Sequence, residues 1–129
     1  MFTKFALKVT ADKPQEINWI SFPRGTDAEL KAFYEEIGNG CRTIDIVNTA
    51  IPDLVMIVDD EALLQKDPAL NPLATVLYAG FPRNYIYGTV LFMQRLGSDL
   101  ITPYPDLIEF AIAQIDEELA EKVMQEYPL

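Results

Sequence analysis

The sequence predicts an α+β domain: a mainly antiparallel, twisted sheet of about five strands, two short helices and a C-terminal amphipathic helix. Three observations carry this. Residues 4–10 alternate with period two. The stretches 54–58 and 85–93 are apolar and largely β-branched or aromatic. Apolar residues at helical spacing mark 26–37 and 106–125. The chain has 129 residues, half of them hydrophobic, which suits one domain over 1–129 with a core of its own.

In the first strand Lys4, Ala6 and Lys8 share one side and Phe5, Leu7 and Val9 the other, so the expectation is a half-buried strand with a charged outer face. Ala11-Asp-Lys-Pro14 reads as a turn, and Glu16–Phe22 as the returning strand of a hairpin, with Ile17 and Trp19 on one face. Thr26-Asp-Ala-Glu29 fits a capping box in which the Thr26 hydroxyl and the Glu29 carboxylate satisfy each other's amides. Leu30, Phe33 and Ile37 then give an apolar face, Glu35 and Glu36 point outward, Gly38 stops the helix and Asn39-Gly40 turns the chain.

Residues 42–48 read as a strand with Ile44 and Ile46 on one face. Leu54–Val58 is a continuous apolar run and belongs in the middle of the sheet. Asp59-Asp60-Glu61 forms an acidic turn, after which Leu63-Leu64 fits a return strand or a helical turn equally well. Asn71-Pro72 is a helix start, with Asn at the cap and Pro at the first helical position; Leu73, Val76 and Leu77 face inward and Gly80 ends it. Residues 85–93 form the longest strand candidate, interrupted at Gly88 by a bulge or the close approach of another backbone. Beyond Thr102-Pro-Tyr-Pro105, the last helix carries the stripe Ile108, Ile112, Ile115, Leu119 and Val123.

Composition excludes several function classes. There is no histidine, which removes Ser-His-Asp and Cys-His catalysis and His-based zinc sites. The single cysteine, Cys41, allows no intrachain disulfide and reads as a small apolar filler. The net charge of −10 argues against a surface that tracks nucleic-acid phosphates. That charge is uneven: from Ile101 onward there are seven acids and one base. No apolar run approaches the roughly 20 residues of a membrane span. The N-terminus alternates instead of forming a signal-peptide block. The expectation is a cytoplasmic protein without membrane contact.

Candidate sites are few. The acidic turn Asp59-Asp60-Glu61 offers ligands for a hard cation, but consecutive acids splay on a turn and the spacing is not that of a calcium loop, so no metal is expected. Asn71, Thr75, Tyr78, Arg83 and Tyr85 form an alternative small-ligand set: free amides at the helix start for an anion, an arginine for a phosphate, and tyrosines for a planar group. Arg42 is a second candidate for phosphate, and Tyr34, Tyr87 and Tyr104 are further aromatic candidates whose ordinary place is the edge of the core. Asp106, Glu109, Asp116, Glu117, Glu118 and Glu121 line the acidic helix and form the expected surface for a basic protein partner. No catalytic residue and no cofactor is expected.

The central stretch resembles an uncharacterised family of small proteins carried by phages, plasmids and integrated elements of bacteria. The resemblance rests on Ile37-Gly38 with Thr43-Ile-Asp-Ile-Val47, on Leu54-Val-Met-Ile-Val-Asp-Asp-Glu61, on Asn71-Pro-Leu-Ala-Thr75 with Leu77-Tyr78, and on Ile86-Tyr-Gly88. It covers residues 17–93 and leaves out the acidic segment 106–126. Asn-Pro-Leu-Ala-Thr is its most specific string. Where the family pattern often has glycine after the acidic turn, this chain has Ala62. The resemblance implies a mobile-element setting and assigns no catalytic residues. The expected function is therefore a non-enzymatic acidic interaction protein that inhibits a host defence or nucleic-acid-handling protein. A small-ligand binding or sequestering module is the first alternative, and a carboxylate- or metal-dependent enzyme the second.

Overall fold

Every strand pairing of the protein is antiparallel among the residues that the computed structural model describes, which are 3–11, 17–81, 83–104 and 106–107. The order along the chain is β1 (Thr3–Val9), β2 (Ile17–Pro23), α1 (Thr26–Ile37), β3 (Ile44–Asn48), β4 (Leu54–Asp59), α2 (Pro72–Leu77), β5 (Val90–Leu96) and β6 (Asp99–Ile101). The sheet runs β2-β1-β5-β4-β3. The first half of β5 pairs with β1 and the second half with β6, while β4 lies on its other side.

The apolar run Leu54–Val58 lies centrally, as expected, because both faces of the sheet are covered. All of β4 is buried. Its side chains alternate between two cores. Val55 and Ile57, with Ala6, Phe22, Leu91 and Met93, meet Phe33 and Ile37 of α1. The rings of Phe22 and Phe33 cross edge to face at 5.3 Å. Leu54, Met56 and Val58, with Leu7, Val9, Val90 and Phe92, meet Leu73, Ala74 and Leu77 of α2. Each of these larger side chains contributes roughly 1.5–3 kcal/mol by leaving water.

Five expectations change. The Lys4–Lys8 side of β1 is not an outer face, because α1 lies over it and brings acids with it. Lys4 is buried and reaches Glu29 at 2.8 Å and Asp99 at 3.1 Å, while Lys8 reaches Glu36 at 3.1 Å. The cap of α1 is Gly25, not Thr26: Glu29 Oε2 does reach back, but it accepts from the Gly25 amide, and Thr26 is already helical. Gly80 does not end α2. That helix stops at Leu77, and Gly80 instead gives room to the Tyr78 ring, since a Cβ there would lie 2.6 Å from it. The strand expected over 85–93 begins only at Val90, because the chain at 86–88 bonds back to Ala69 and Asn71, with Gly88 at φ 82°. The three-residue β6, joined to β5 through Gly97 at φ 61°, is an added strand. Leu63-Leu64 is a 3-10 turn over Ala62–Leu64 and exposed. The expected C-terminal helix lies outside the described residues past Leu107, which packs on the α2 side of the core.

Candidate functional site

β4 delivers the acidic turn at the end of the central strand, and the three acids diverge there. Asp59 is buried: its Oδ1 accepts from the Glu61 amide at 2.8 Å and its Oδ2 from the Gln65 amide group at 3.0 Å. Asp60 is exposed. Glu61 turns the other way, accepting from Arg42 at 3.3 Å and from the Thr43 hydroxyl at 3.1 Å. The Arg42 hydrogen bond, then that of Thr43, holds the Glu61 carboxyl below its ordinary range. Among the described residues no three His, Cys, Asp or Glu gather at metal-holding distance.

A cavity opens on each side of this turn. The larger, about 490 Å³, lies between the end of α1 (Gly38, Asn39), Asp59, Gln65 and the Gly88-Thr89 segment. That volume falls within the range of small-molecule sites. Hydrogen bonds between separate segments tie its lining together: Asn39 Nδ2 donates to the Lys66 carbonyl, and Gln65 Nε2 bridges Asp59 and the Gly40 carbonyl. Gly38, Asn39 and Gly40 turn the chain there through positive φ. The smaller cavity, about 200 Å³, has Asp60, Leu63 and Leu64 on one wall and Tyr85 and Tyr87 on the other. Cys41 sits near this turn, and burial first, then the charge of Asp59, pushes its thiol up to about 11. It is a weak nucleophile.

The alternative ligand set is not gathered on one surface. Asn71 and Thr75 are fully buried, and their polar atoms bond inside the chain. Asn71 Oδ1 caps α2 by accepting from the Ala74 amide at 3.1 Å, and its Nδ2 donates to the carbonyls of Val9 and Gly88. The Thr75 hydroxyl accepts from the Ile86 amide at 2.9 Å and faces the Ile86 carbonyl. Tyr78 is half-buried and bridges to Thr49, and Arg83 is exposed. Of the set, Tyr85 lines one of these two cavities, its ring stacked on Phe81 at 6.2 Å. Arg42 meets Glu61. Tyr34 is half-buried, Tyr87 buried and Tyr104 exposed. Of the expected partner surface, Asp106 is exposed, while Glu109, Asp116, Glu117, Glu118 and Glu121 lie outside the described residues.

Sequence reasoning missed Gln65, Asn39 and Thr89 as cavity residues. No local pattern marks them, since the cavity is assembled from segments distant in sequence.

The described residues thus form a two-faced antiparallel sheet with one helix on each side and clefts around an acidic turn. The chain matches the family described as Domain of unknown function (DUF3846) over residues 3–120, and it belongs to that family. The match extends past both ends of the 17–93 stretch that carried the sequence resemblance. No curated protein and no solved structure matches the chain. No helix among the described residues is long and apolar enough to cross a membrane.

Proposed function

We propose that the protein acts by binding, as a non-enzymatic acidic interaction protein whose partner is a basic protein surface. The observation that carries this is charge. The chain holds 20 acids against 10 bases, and Lys4, Lys8, Arg24, Lys31 and Arg42 are each taken up by an acid of the same chain. Half of the bases are thus paired within the chain, and the net charge of −10 makes the field presented outward negative, which speeds encounter with a basic partner. The setting we propose is a mobile genetic element inside a cell, with a host defence or nucleic-acid-handling protein as target. Such a protein exposes a basic surface for a polyanion.

Charge reversal of Glu117, Glu118 and Glu121 to Lys tests the reading, with folding checked by circular dichroism. The expected result is weaker binding of the captured partner and a shallower salt dependence. Unchanged affinity and salt dependence would sink the proposal. A second reading, small-ligand binding, is favoured by the volume of the larger cavity. A ligand found by thermal-shift screening is expected to lose its effect in Ala69→Trp, which fills the rim.

A further inference from the structure

Among the described residues the main path of the sheet ends at β2 on one side and at β3 on the other, and these two edges are built differently. An open edge offers unpaired backbone amides and carbonyls to any extended chain, and proteins usually blunt it with charge or with local bonds. β3 is blunted in both ways. Asp45 is exposed on it, and its carboxylate accepts from the Ile46 amide at 2.9 Å. Just past its end the chain is tied to the α2 region through Ala50 to Leu77 and Ala79 to Asn48. β2 carries neither device. Its seven residues, Ile-Asn-Trp-Ile-Ser-Phe-Pro, include no charge at all in a chain of net −10, and only Pro23, at its end, lacks an amide hydrogen. Two large apolar side chains stand exposed beside this edge, Trp19 at 47% and Phe5 at 42%.

We infer that the β2 edge is a self-association surface, on which the β2 strand of a second copy pairs antiparallel to give one sheet continuous across two protomers. Charge selects the occupant. Two copies of net −10 repel over most of their surfaces, and a strand with no charge is where they approach at least cost. A two-fold axis requires a self-complementary patch, and this strand provides one. Pairing centred on Ile20 sets Trp19 opposite the partner's Ser21, and Ser21 opposite the partner's Trp19. Within each protomer, Phe5 already lies opposite Ser21 and Leu7 opposite Trp19, on the same face of the sheet. The dimer therefore aligns a row of Phe5, Ser21, the partner's Trp19 and the partner's Leu7. The small Ser21 sits between two aromatic rings and lets them close over it, within the about 5 Å spacing of cross-strand neighbours. Backbone hydrogen bonds supply the pairing, and the two rings lose their exposure.

Salt separates this contact from the proposed acidic docking. Binding to a basic partner weakens as salt rises, whereas self-association of two acidic copies through a neutral strand strengthens, because screening removes repulsion. The experiment is sedimentation velocity on the full chain across a dilution series, at low and high salt, with Trp19 emission recorded in parallel. Trp19 is the only tryptophan, so its fluorescence reports this edge alone. The expected result is a dimer that tightens with salt and dissociates on dilution, with Trp19 emission moving to longer wavelength as it does. Ser21→Lys keeps the reporter and is expected to raise the dimer dissociation constant about tenfold or more, since the charge enters twice. Trp19→Lys acts in the same direction, and Ile46→Lys on the β3 edge leaves the dimer intact. Circular dichroism verifies that each variant is folded. A chain that stays monomeric at every concentration overturns the inference, as does a dimer that survives both β2 substitutions. So does Trp19 emission that stays constant through dissociation, which would place another face, or another segment of the same chain, at the contact.

Discussion

Replacing Asn71 should cost far more than the loss of a helix cap. In Asn71→Ala the cap itself accounts for about 1 kcal/mol. The structure adds two further losses. The Asn71 side-chain amide donates to the carbonyls of Val9, at 3.2 Å, and Gly88, at 2.9 Å, and the residue is completely buried. An acceptor deprived of its donor costs about 1 kcal/mol, and more where, as at the Val9 carbonyl, the bond is buried and no water replaces the amide. The total for Asn71→Ala is therefore about 3 kcal/mol, read as a shift in the midpoint of urea unfolding at constant slope. Asn71→Ser separates the contributions. Serine caps a helix as well as asparagine but cannot reach both carbonyls, so this variant should remain about 2 kcal/mol below the parent. Asn71→Asp keeps the cap acceptor and sets a carboxylate against two carbonyl oxygens. It should be the least stable of the three at neutral pH and recover as acid protonates it. If Asn71→Ser unfolds at the parent midpoint, the bridging role is wrong and Asn71 is only a cap.

Two other expectations follow from charge and burial. At Lys4, burial pulls the ammonium's pKa down, but the hydrogen bonds and charges of Glu29 and Asp99 outweigh it, so the pKa stands above its ordinary value. Its stabilisation is then complete below the unfolded lysine pKa and lost as pH rises through the folded value. The Asp99 carboxyl is held down, first by the Lys4 hydrogen bond, so its share is lost as pH falls below the ordinary aspartate range. Lys4→Met should cost about 2 kcal/mol at neutral pH, less than a fully buried pair because Asp99 is open to water, and should flatten both limbs of a stability–pH profile from urea melts. For Cys41, a thiol pushed from 9.0 to about 11 should react with iodoacetamide at pH 8 about a hundredfold more slowly than an ordinary cysteine, measured by mass spectrometry under native conditions, and normally once unfolded.

What was legible in the sequence is what local rules decide. The apolar run Leu54–Val58 admits only a place covered on both sides, and Asn71-Pro72 can hardly be anything but a helix start. Lys4 shows the limit. Alternation correctly put Lys4, Ala6 and Lys8 on one side of β1, yet whether that side met water depended on where α1 would lie, and hence on Glu29 and Glu36, more than 20 residues away. The same limit hid β6, which has three residues and no period to read, and whose place is set by pairing with the end of β5. At the acidic turn, three adjacent carboxylates have three fates because β4 ends at Asp59. The last residue of the strand stays inside with the core, the next reaches solvent, and the third meets Arg42.

The Asn-Pro-Leu-Ala-Thr string gives the clearest case of a pattern whose specificity is structural and whose consequence still reaches the site. A helix as short as α2 has little stability of its own, so it must be held by its surroundings. Apolar packing from Leu73, Ala74 and Leu77 supplies part of that. The polar ends do the positioning: the Asn71 backbone amide donates to the Ile86 carbonyl, its side chain holds Gly88, and Thr75 holds the Ile86 amide. These bonds keep residues 86–88 folded back against the residues before α2 and delay the start of β5 to Val90. The strand that the apolar and aromatic run predicts from Tyr85 is therefore given up for a bent segment. That bend puts Tyr85 and Tyr87 across from the acidic turn and Gly88-Thr89 beside Asp59, so one wall of each cavity is set by two side chains that touch neither. Any ligand or partner that uses these clefts reads the geometry that Asn71 and Thr75 impose, while its direct contacts fall on Asp60, Gln65, Tyr85 and their neighbours, which carry no motif.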